Sequence, residues 1–369
     1  MKIIPINNCH EIDAQEKIKH VELTPPNLEW PRLFNESANE IKNILGENCI
    51  AIHHIGSTAI SNIYAKPIVD ILLVVKEIKL VDSLNSKFEA LGYVCMGEYG
   101  ISGRRFYWKS KDTRTHNIHL FEEGSSEILR HVSFRDFMRN HEDYAKAYSV
   151  LKCCLAEVFT EDIENYVNGK SSFVQQIDYQ TGTAREKQLN AQDNIVIQPY
   201  NPAWPKLAIA EIKAIKTIAN QDSIVSIDHI GSTAVPELSS KPIIDIFISI
   251  TSLNNVAHWI SSLQSLGYIY WEENPDKTHL RFFKGMPPFG EGRTHHVHIV
   301  EANNHTVEHR LLFRDILRRD KRARLDYESL KRRLAQSDNN DREAYTDNKL
   351  DFITSLLRAN GYKKPISRH

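Results

Sequence analysis

The stretch HIGSTA at residues 54–59 is followed by KPIVDI at residues 66–71, and both motifs recur in the same order further along the chain. The second occurrences are HIGSTA at 229–234 and KPIIDI at 241–246, with the same spacing between them. A self-similarity of such long period is typical of tandem domains and not of a solenoid built from short repeats. The motifs therefore predict two copies of one fold.

Further matches follow in order through each copy. RTHNIHLFE at 114–122 corresponds to RTHHVHIVE at 293–301, and a shared Arg-Phe pair aligns Arg105 with Arg281. Because the matches keep their order and nearly their spacing, the two copies differ by small insertions only.

The repeat divides the chain into two domains. We predict a first domain over residues 1–182, a second over residues 195–369, and a polar linker at 183–194 that has few large apolar residues. A chain of 369 residues is long enough for two domains that each bury a core of their own.

The composition argues against several classes of protein, namely nucleic-acid-binding, membrane, secreted and disulfide-rich proteins. There are 46 Lys+Arg against 47 Asp+Glu, and the net charge of −1 argues against nucleic-acid and membrane partners. No apolar run approaches the ~18 residues of a membrane helix, and the N-terminal residues lack the apolar segment of a secretory signal. Five cysteines, an odd number, do not suggest a disulfide framework. These features favour a cytoplasmic protein.

The apolar pattern predicts strands mixed with helices. Residues 68–75 and 243–250 are short, nearly continuous apolar runs with one aspartate each, which is typical of strands buried on both faces. Helical periodicity is found at 31–46, 127–159, 203–219 and 305–335. We therefore expect an α/β (α+β) fold with one mixed sheet in each domain.

The end of the first predicted strand in each copy is a Gly-Ser turn, formed by Gly56 and Ser57 and again by Gly231 and Ser232. In a tight turn of this kind the backbone amides can face an anion, and the serine hydroxyl can add a hydrogen bond. These four residues are candidates for binding phosphate.

The aspartate of the second strand is the other candidate. Asp70 and Asp245 are each the one charged residue in an apolar strand, where a carboxylate is costly unless it is paired, hydrogen-bonded or bound to a cation. Two interpretations stay open: a cation ligand, or a structural carboxylate paired with a neighbour such as Lys66.

The two motifs together resemble the signature of the GrpB family, which has a nucleotidyltransferase-like fold. The RTHxxH segment and the FRD at 134–136 and 313–315 are similar to that family too, so the resemblance covers nearly the whole chain. It implies two tandem nucleotidyltransferase-like domains, a nucleotide or phosphorylated small molecule as ligand, and a divalent cation, Mg²⁺ or Mn²⁺. Family members fused to dephospho-CoA kinase associate this group with coenzyme A or nucleotide metabolism.

The carboxylates that the wider nucleotidyltransferase superfamily places on these strands are incomplete here. The same-face neighbours of the two aspartates are Leu72 and Phe247, which cannot bind a metal. On the later strand, where a third acid is expected, the chain has His119 and His298. Each histidine is predicted to bind one cation or to act as general acid–base, against the alternative of a structural histidine in the sheet.

Six more residues are candidates because they lie near these motifs. His54 and His229 precede the Gly-Ser turn and could be catalytic or could brace the turn. The phosphate-binding candidates are the lysines before the second strand and the arginines of a later strand, namely Lys66, Lys241, Arg105 and Arg281.

Two functional hypotheses remain. The first is a transferase that moves a nucleotidyl group with one cation, and the second is a non-catalytic ligand-binding module whose metal site has decayed. A composite site in the first copy requires Asp70 to lie within about 12 Å of His119. We expect the second copy to have the stronger site, because Pro236 stiffens its turn, His296 adds an imidazole, and the loop 284–292 can close over a ligand.

Overall fold

The computed structural model describes residues 20–110, 113–219, 221–337 and 342–366. These residues separate into two compact units. The first unit ends at Tyr166 and also takes in Gln180–Thr183. The second unit is formed by Val167–Tyr179 and by the described residues from Ala184 onward.

The first unit is built on a five-stranded mixed sheet. Its strands are β1 (Cys49–Ile55), β2 (Val69–Val75), β3 (Tyr93–Cys95), β4 (Arg105–Ser110) and β5 (Arg114–Glu122). They lie in the order β1-β2-β5-β4-β3, with β2 and β5 parallel and every other neighbouring pair antiparallel.

The second unit repeats this sheet. Its strands are β6 (Ile224–Ile230), β7 (Ile244–Ile250), β8 (Ile269–Tyr270), β9 (His279–Lys284) and β10 (His295–Glu301). They lie in the order β6-β7-β10-β9-β8, with the single parallel pair between β7 and β10. The predicted duplication of one α/β sheet topology is confirmed.

Helices surround each sheet. Those encoded by the first half of the chain are α1 (Glu29–Leu45), α2 (Ile78–Asp82), α3 (Asn85–Ala90), α4 (Ser126–Asn140), α5 (Glu142–Val158), α6 (Ile163–Gln180) and α7 (Glu186–Leu189). Those that follow are α8 (Ala203–Ile218), α9 (Val256–Ser265), α10 (Thr306–Arg319), α11 (Lys321–Ser337), α12 (Arg342–Asp347) and α13 (Leu350–Ala359). No helix among the described residues is long and apolar enough to cross a membrane.

The helical region expected at 305–335 consists of two helices, α10 and α11. They separate at Asp320, whose backbone is extended and whose carboxylate accepts hydrogen bonds from the amides of Arg322 and Ala323. An aspartate in this position satisfies amides that begin a helix, so it starts a new helix instead of continuing the old one. The helical region expected at 127–159 is likewise divided into two helices at His141.

The central strands are buried on both faces, as their apolar runs predict. In β2, Ile71 and Leu73 pack into the cluster that includes Trp30 of α1, whereas Leu72 packs on the opposite face with Phe121 of β5. Covering both faces of the sheet removes most of the apolar surface of this strand from water.

The order of the strands places the two sequence motifs at one edge of each sheet. Because β1 and β2 are antiparallel, the last residue of β1, Ile55, pairs with Asp70 near the start of β2. On its other side Asp70 pairs with Asn117 of the parallel strand β5. The same register in the second unit puts Asp245 between Ile230 and His296. The Gly-Ser turn that follows each first strand is therefore next to the aspartate.

Candidate functional site

Each turn needs a glycine because the aspartate of the next strand lies against it. Gly56 and Gly231 have φ of 69° and 73°, a left-handed conformation that favours glycine. A Cβ at either position would lie 2.3 Å from Oδ2 of Asp70 or Asp245. The turn and the carboxylate therefore form one unit in each copy, as the motif spacing predicts.

The histidines before the turns do not join this unit. Nε2 of His54 lies 3.0 Å from the hydroxyl of Thr58, and that hydroxyl donates to the carbonyl of Ile68. Nε2–H must therefore be the donor to Thr58. By strand alternation His54 lies on the face of the sheet opposite the carboxylate of Asp70, where its ring stacks on Phe34.

His229 repeats this arrangement with Thr233, at 3.0 Å. Burial lowers the pKa of both His54 and His229 to about 4, so both rings are neutral at pH 7. Of the two interpretations left open by the sequence, the contacts favour the structural one, in which each histidine braces its turn.

The serine of the first turn is held from helix α5. Lys152, which is buried, donates to Oγ of Ser57 at 2.9 Å and also to the carbonyl of Tyr64. Tyr148 lies near the same serine, as Tyr327 does near Ser232 in the second copy. These partners fix the hydroxyl beside the turn, and sequence reasoning did not identify them.

The arginine of the FRD motif also holds the turn. Arg135 donates to the carbonyl of His54 and pairs with Asp136, and Arg314 does the same with His229 and Asp315. A buried carbonyl at the end of a strand needs such a donor. The motif is thus part of the scaffold of the site.

The lysines before the second strand lie beside the aspartates. The ammonium of Lys66 is 5.7 Å from the ring centre of Tyr166, and that of Lys241 is 4.7 Å from the ring centre of Tyr345. The charge of each lysine helps to lower the pKa of its neighbouring aspartate.

In the first copy Asp70 accepts a hydrogen bond from an amide and lies near one imidazole. Asn117 donates to Oδ1 of Asp70 at 2.8 Å, and Nε2 of His119 lies 3.7 Å from the same oxygen. Asp70 and His119 are therefore close together, as the sequence predicts. Burial alone would raise the pKa of Asp70, but the contacts with His119 and Asn117 bring the pKa below its usual value.

In the second copy the equivalent aspartate faces two imidazoles. Nδ1 of His296 is 3.0 Å from Oδ1 of Asp245. Single ligand atoms of Asp245, His296 and His298 all lie within 4.8 Å of one another. His296 and His298 are two residues apart on β10, so both side chains point to the same face of the sheet.

Asp245 was predicted to hold the cation with His298 completing the site, and His296 was predicted only as an additional imidazole. The spacing of two between His296 and His298, together with the parallel pairing of β7 with β10, is the signal that would have grouped all three residues. His295 and His298 are three residues apart, so their side chains lie on opposite faces of the sheet and do not belong to one cluster.

The partner of Nδ1 differs between His119 and His298. In the first copy a guanidinium nitrogen of Arg104 lies 3.4 Å from Nδ1 of His119. Because arginine can only donate, this contact makes Nδ1 the acceptor and leaves the proton on Nε2, which faces Asp70. A protonated Nε2 cannot bind a metal.

In the second copy Nε2 of His279 lies 2.9 Å from Nδ1 of His298. Imidazole can accept as well as donate, so Nδ1–H of His298 can donate to His279 and leave Nε2 as a lone pair. An outer imidazole in this position orients a metal-binding histidine and fixes its tautomer. Neither Arg104 nor His279 was predicted to belong to the site.

The ionisation states in the second copy suit a cation. Burial raises the pKa of Asp245, but its contact with His296 and the charge of Lys241 bring it below the usual value, so the carboxylate is ionised. Burial lowers the pKa of His296 and lowers the pKa of His298 well below its usual value. At pH 7 all three groups are in the forms that bind metal ions.

The sequence alignment of Arg105 with Arg281 is wrong by one residue. Strand pairing places Phe106 opposite His119, whereas Arg281 is opposite His298. Arg105 therefore points to the other face, where it forms two hydrogen bonds with Asp82. A two-letter Arg-Phe match cannot define register, which is set by the pairing of whole strands.

Arg281 does lie on the face of the site, and a second arginine joins it. Arg310 of α10 lies over the ring of Phe247 and helps to lower the pKa of His298. The residue at its place in the first copy is His131, whose ring centre is 5.6 Å from that of His119. Arg310 was not predicted as a site residue.

Comparison with known families and relatives is consistent with the repeat. The model of the family described as GrpB protein matches residues 20–180 and again residues 194–359. The UPF0157 protein YqkA of Bacillus subtilis is 39% identical over 178 residues, which are 48% of this chain and 52% of that protein. This chain therefore spans about half the length of that relative.

Two further similarities involve a single copy. The UPF0157 protein PA4798 of Pseudomonas aeruginosa is 42% identical over 165 residues, covering 45% of this chain and 67% of that protein. The crystal structure of the conserved protein GrpB from Enterococcus faecalis is 40% identical and covers 43% of this chain and 96% of that one, with a TM-score of 0.42.

Proposed function

This chain belongs to the GrpB family, and we propose that its second domain binds a nucleotide or another phosphorylated small molecule together with one divalent transition-metal ion. The observation that carries the proposal is the cluster of Asp245, His296 and His298, whose ligand atoms lie within 4.8 Å of one another. Three protein ligands leave coordination positions open for a phosphate oxygen or water.

The donor set determines which cations fit. Two imidazoles with one carboxylate suit Mn²⁺, Fe²⁺ or Zn²⁺, whereas Mg²⁺ prefers a shell made of oxygen. When bound, such an ion would polarise a phosphate oxygen as a Lewis acid. The imidazole of His279 would hold His298 in position, and the ammonium of Lys241 would add positive charge beside the carboxylate.

The turn supports a phosphate-bearing ligand. Gly231 brings the backbone close to Asp245, and Ser232 adds a hydroxyl near Tyr327. Backbone amides of such a turn favour negative charge. Phosphate would then contact the turn on one side and the cation on the other.

The number of carboxylates favours binding over nucleotidyl transfer. Transfer enzymes that use two metal ions clamp both the attacking and the leaving oxygen, which requires several carboxylates. Among the described residues the cluster contains one carboxylate, and the alternate strand positions hold Leu72 and Phe247. Transfer with a single cation is the second candidate, and pyrophosphate release is its direct readout.

A thermal-shift experiment on the full chain tests the proposal. Chelator-treated protein is heated with ATP, CTP or coenzyme A precursors, each with and without Mn²⁺ or Zn²⁺. We expect at least one of these ligands to raise the Tm more with the metal than without it, because binding to the native state stabilises the fold. Pyrophosphate release is measured in the same mixtures.

Two matched variants identify the domain. Asp245→Asn should abolish the metal-dependent part of the shift, since it removes the charge that offsets the cation, and Asp70→Asn should leave most of it. Equal losses in both variants, or a loss in Asp70→Asn alone, would contradict the assignment to the second domain.

A further inference from the structure

Two guanidinium groups in the second copy lie beside the cluster of Asp245, His296 and His298. Arg281 of β9 is opposite His298 in the sheet and is only 9% exposed. Arg310 approaches the same region from helix α10, with its guanidinium 5.3 Å from the ring centre of Phe247. Strand β9 and helix α10 thus bring two positive charges close to His298.

Neither guanidinium has a hydrogen bond or an ion pair within the part of the chain that the structure describes. Nε of Arg281 and Nε of Arg310 are both buried and without an acceptor. The aromatic faces of Trp271 and Phe247 contact these groups but offer no hydrogen-bond acceptor for the buried N–H. Burying a charge in this way is costly unless an anion compensates it.

The two arginines are near enough to each other to interact. Burial lowers the pKa of Arg310 to about 10, the negative charge of Asp245 opposes this shift, and the positive charge of Arg281 adds to it. The negative charge of Asp245 therefore offsets part of the positive charge of Arg310. A cation bound to Asp245 would neutralise that negative charge. The pair would then need an anion from outside the protein.

We propose that Arg281 and Arg310 form a binding site for the terminal phosphate of a phosphate monoester, next to the cation site of the second domain. The inference rests on the proposed function, since it names the ligand class for the same cleft. A terminal phosphate carries about −1.5 to −2 charges at pH 7, which matches two guanidinium groups, whereas a carboxylate or a phosphodiester carries one. Guanidinium forks also fit the oxygens of phosphate geometrically.

The first copy lacks this site. Phe106 lies where Arg281 does, and His131 lies where Arg310 does. The arginine nearest its histidine, Arg104, already donates to the carbonyls of Glu98 and Tyr99. Arg104 is therefore a matched control, since it is an arginine at the corresponding edge that is already hydrogen-bonded.

Calorimetric titration of the metal-free full chain tests the inference. The probes are methyl phosphate, dimethyl phosphate and acetate, and the variants are Arg281→Gln, Arg310→Gln and Arg104→Gln. We expect methyl phosphate to bind at least about tenfold more tightly than the two singly charged probes, because a charged hydrogen-bonded pair contributes more than about 1.4 kcal/mol. Arg281→Gln and Arg310→Gln should each lose at least that factor, and Arg104→Gln should not.

Thermal unfolding in buffer without phosphate separates a binding role from a structural one. Removing a guanidinium whose buried Nε has no acceptor should leave the Tm of Arg310→Gln unchanged or raise it, while the rise that methyl phosphate causes in the parent should disappear. The inference is overturned if either variant binds methyl phosphate as the parent does, if the probes bind equally, or if the parent binds none of them.

The same titration distinguishes this inference from the metal proposal. Metal-free Asp245→Asn should still bind methyl phosphate, because its two arginines are intact. If the parent binds no cation but its arginine variants lose methyl phosphate, the metal proposal fails and the phosphate site stands. If cation binding is normal and those variants keep methyl phosphate, the phosphate site fails alone.

Discussion

The two copies have one backbone design and different side chains around the central carboxylate. In the first copy Asp70 accepts a hydrogen bond from Asn117. The nearby His119 faces Asp70 with Nε2, and its Nδ1 contacts the guanidinium of Arg104. In the second copy Asp245 lies beside two imidazoles, His296 and His298. Duplication has therefore preserved the glycine turn and the strand register while the chemistry of the two sites diverged.

The difference lies in the type of group that occupies each position. An amide such as Asn117 satisfies the carboxylate without offering a nitrogen lone pair, whereas an imidazole can do both. Arg104 can only donate a hydrogen bond to His119, whereas His279 can accept one from His298. At both positions the second copy therefore has an imidazole where the first copy has an amide or a guanidinium.

The largest effect is expected from making the second site like the first. His296→Asn introduces the side chain that the first copy has at this place and removes one of three ligands. Affinity for Mn²⁺ or Zn²⁺, measured by calorimetry, should fall by more than about 100-fold, beyond the range for outer-shell changes. Asn117→Ala is the control and should leave cation affinity unchanged. Similar affinities in the parent and His296→Asn would refute the ligand set.

An intermediate effect is expected from the outer imidazole. His279→Gln leaves all three ligands in place but removes the ring that orients His298, so cation affinity should fall by about 10- to 100-fold. Arg104→Gln in the first copy should have no effect on the same titration. A full loss of binding in His279→Gln would instead make His279 a direct ligand.

The turn glycines should affect stability equally and cation binding unequally. Ala at position 56 or 231 forces a left-handed conformation that costs about 1–3 kcal/mol, and its Cβ would displace the carboxylate. Both Gly56→Ala and Gly231→Ala should lower the free energy of unfolding in urea. Gly231→Ala alone should weaken cation binding, and a matching loss in Gly56→Ala would mean that the first copy also binds.

The smallest effect concerns pH, and here the copies should agree. His54 and His229 have a pKa of about 4 in the fold against about 6.5 when unfolded. The unfolded chain therefore binds more protons between these values, so the stabilising contribution is complete above about pH 6.5 and is lost as the pH falls toward 4. His54→Gln should reduce the slope of unfolding free energy against pH over this range. An unchanged slope would show that His54 does not titrate this way.

The fold could be predicted from the sequence because its signals are local and repeated. The apolar runs of β2 and β7, the glycine turns and the pairing of the motifs all follow from backbone geometry and burial. The proximity of Asp70 and His119 could be predicted too, since two adjacent strands align the motifs.

The composition of the site was harder to predict because it depends on register and on hydrogen-bond partners. Arg105 was aligned with Arg281 by a shared dipeptide, and only strand pairing shows that the two point to opposite faces. Arg310 comes from a distant helix whose basic sequence is typical of a solvated face. The roles of Arg104 and His279 depend on which ring nitrogen they contact, which no sequence pattern encodes.

The central claim is that the chain holds one cation, in the second domain. Electron paramagnetic resonance of free Mn²⁺ in mixtures with the chelator-treated full chain counts the bound ions directly. We predict about one Mn²⁺ per chain in the parent and in Asp70→Asn, and none in Asp245→Asn, as three ligands in one copy imply. Two ions per chain, or one ion that survives Asp245→Asn, would contradict the account.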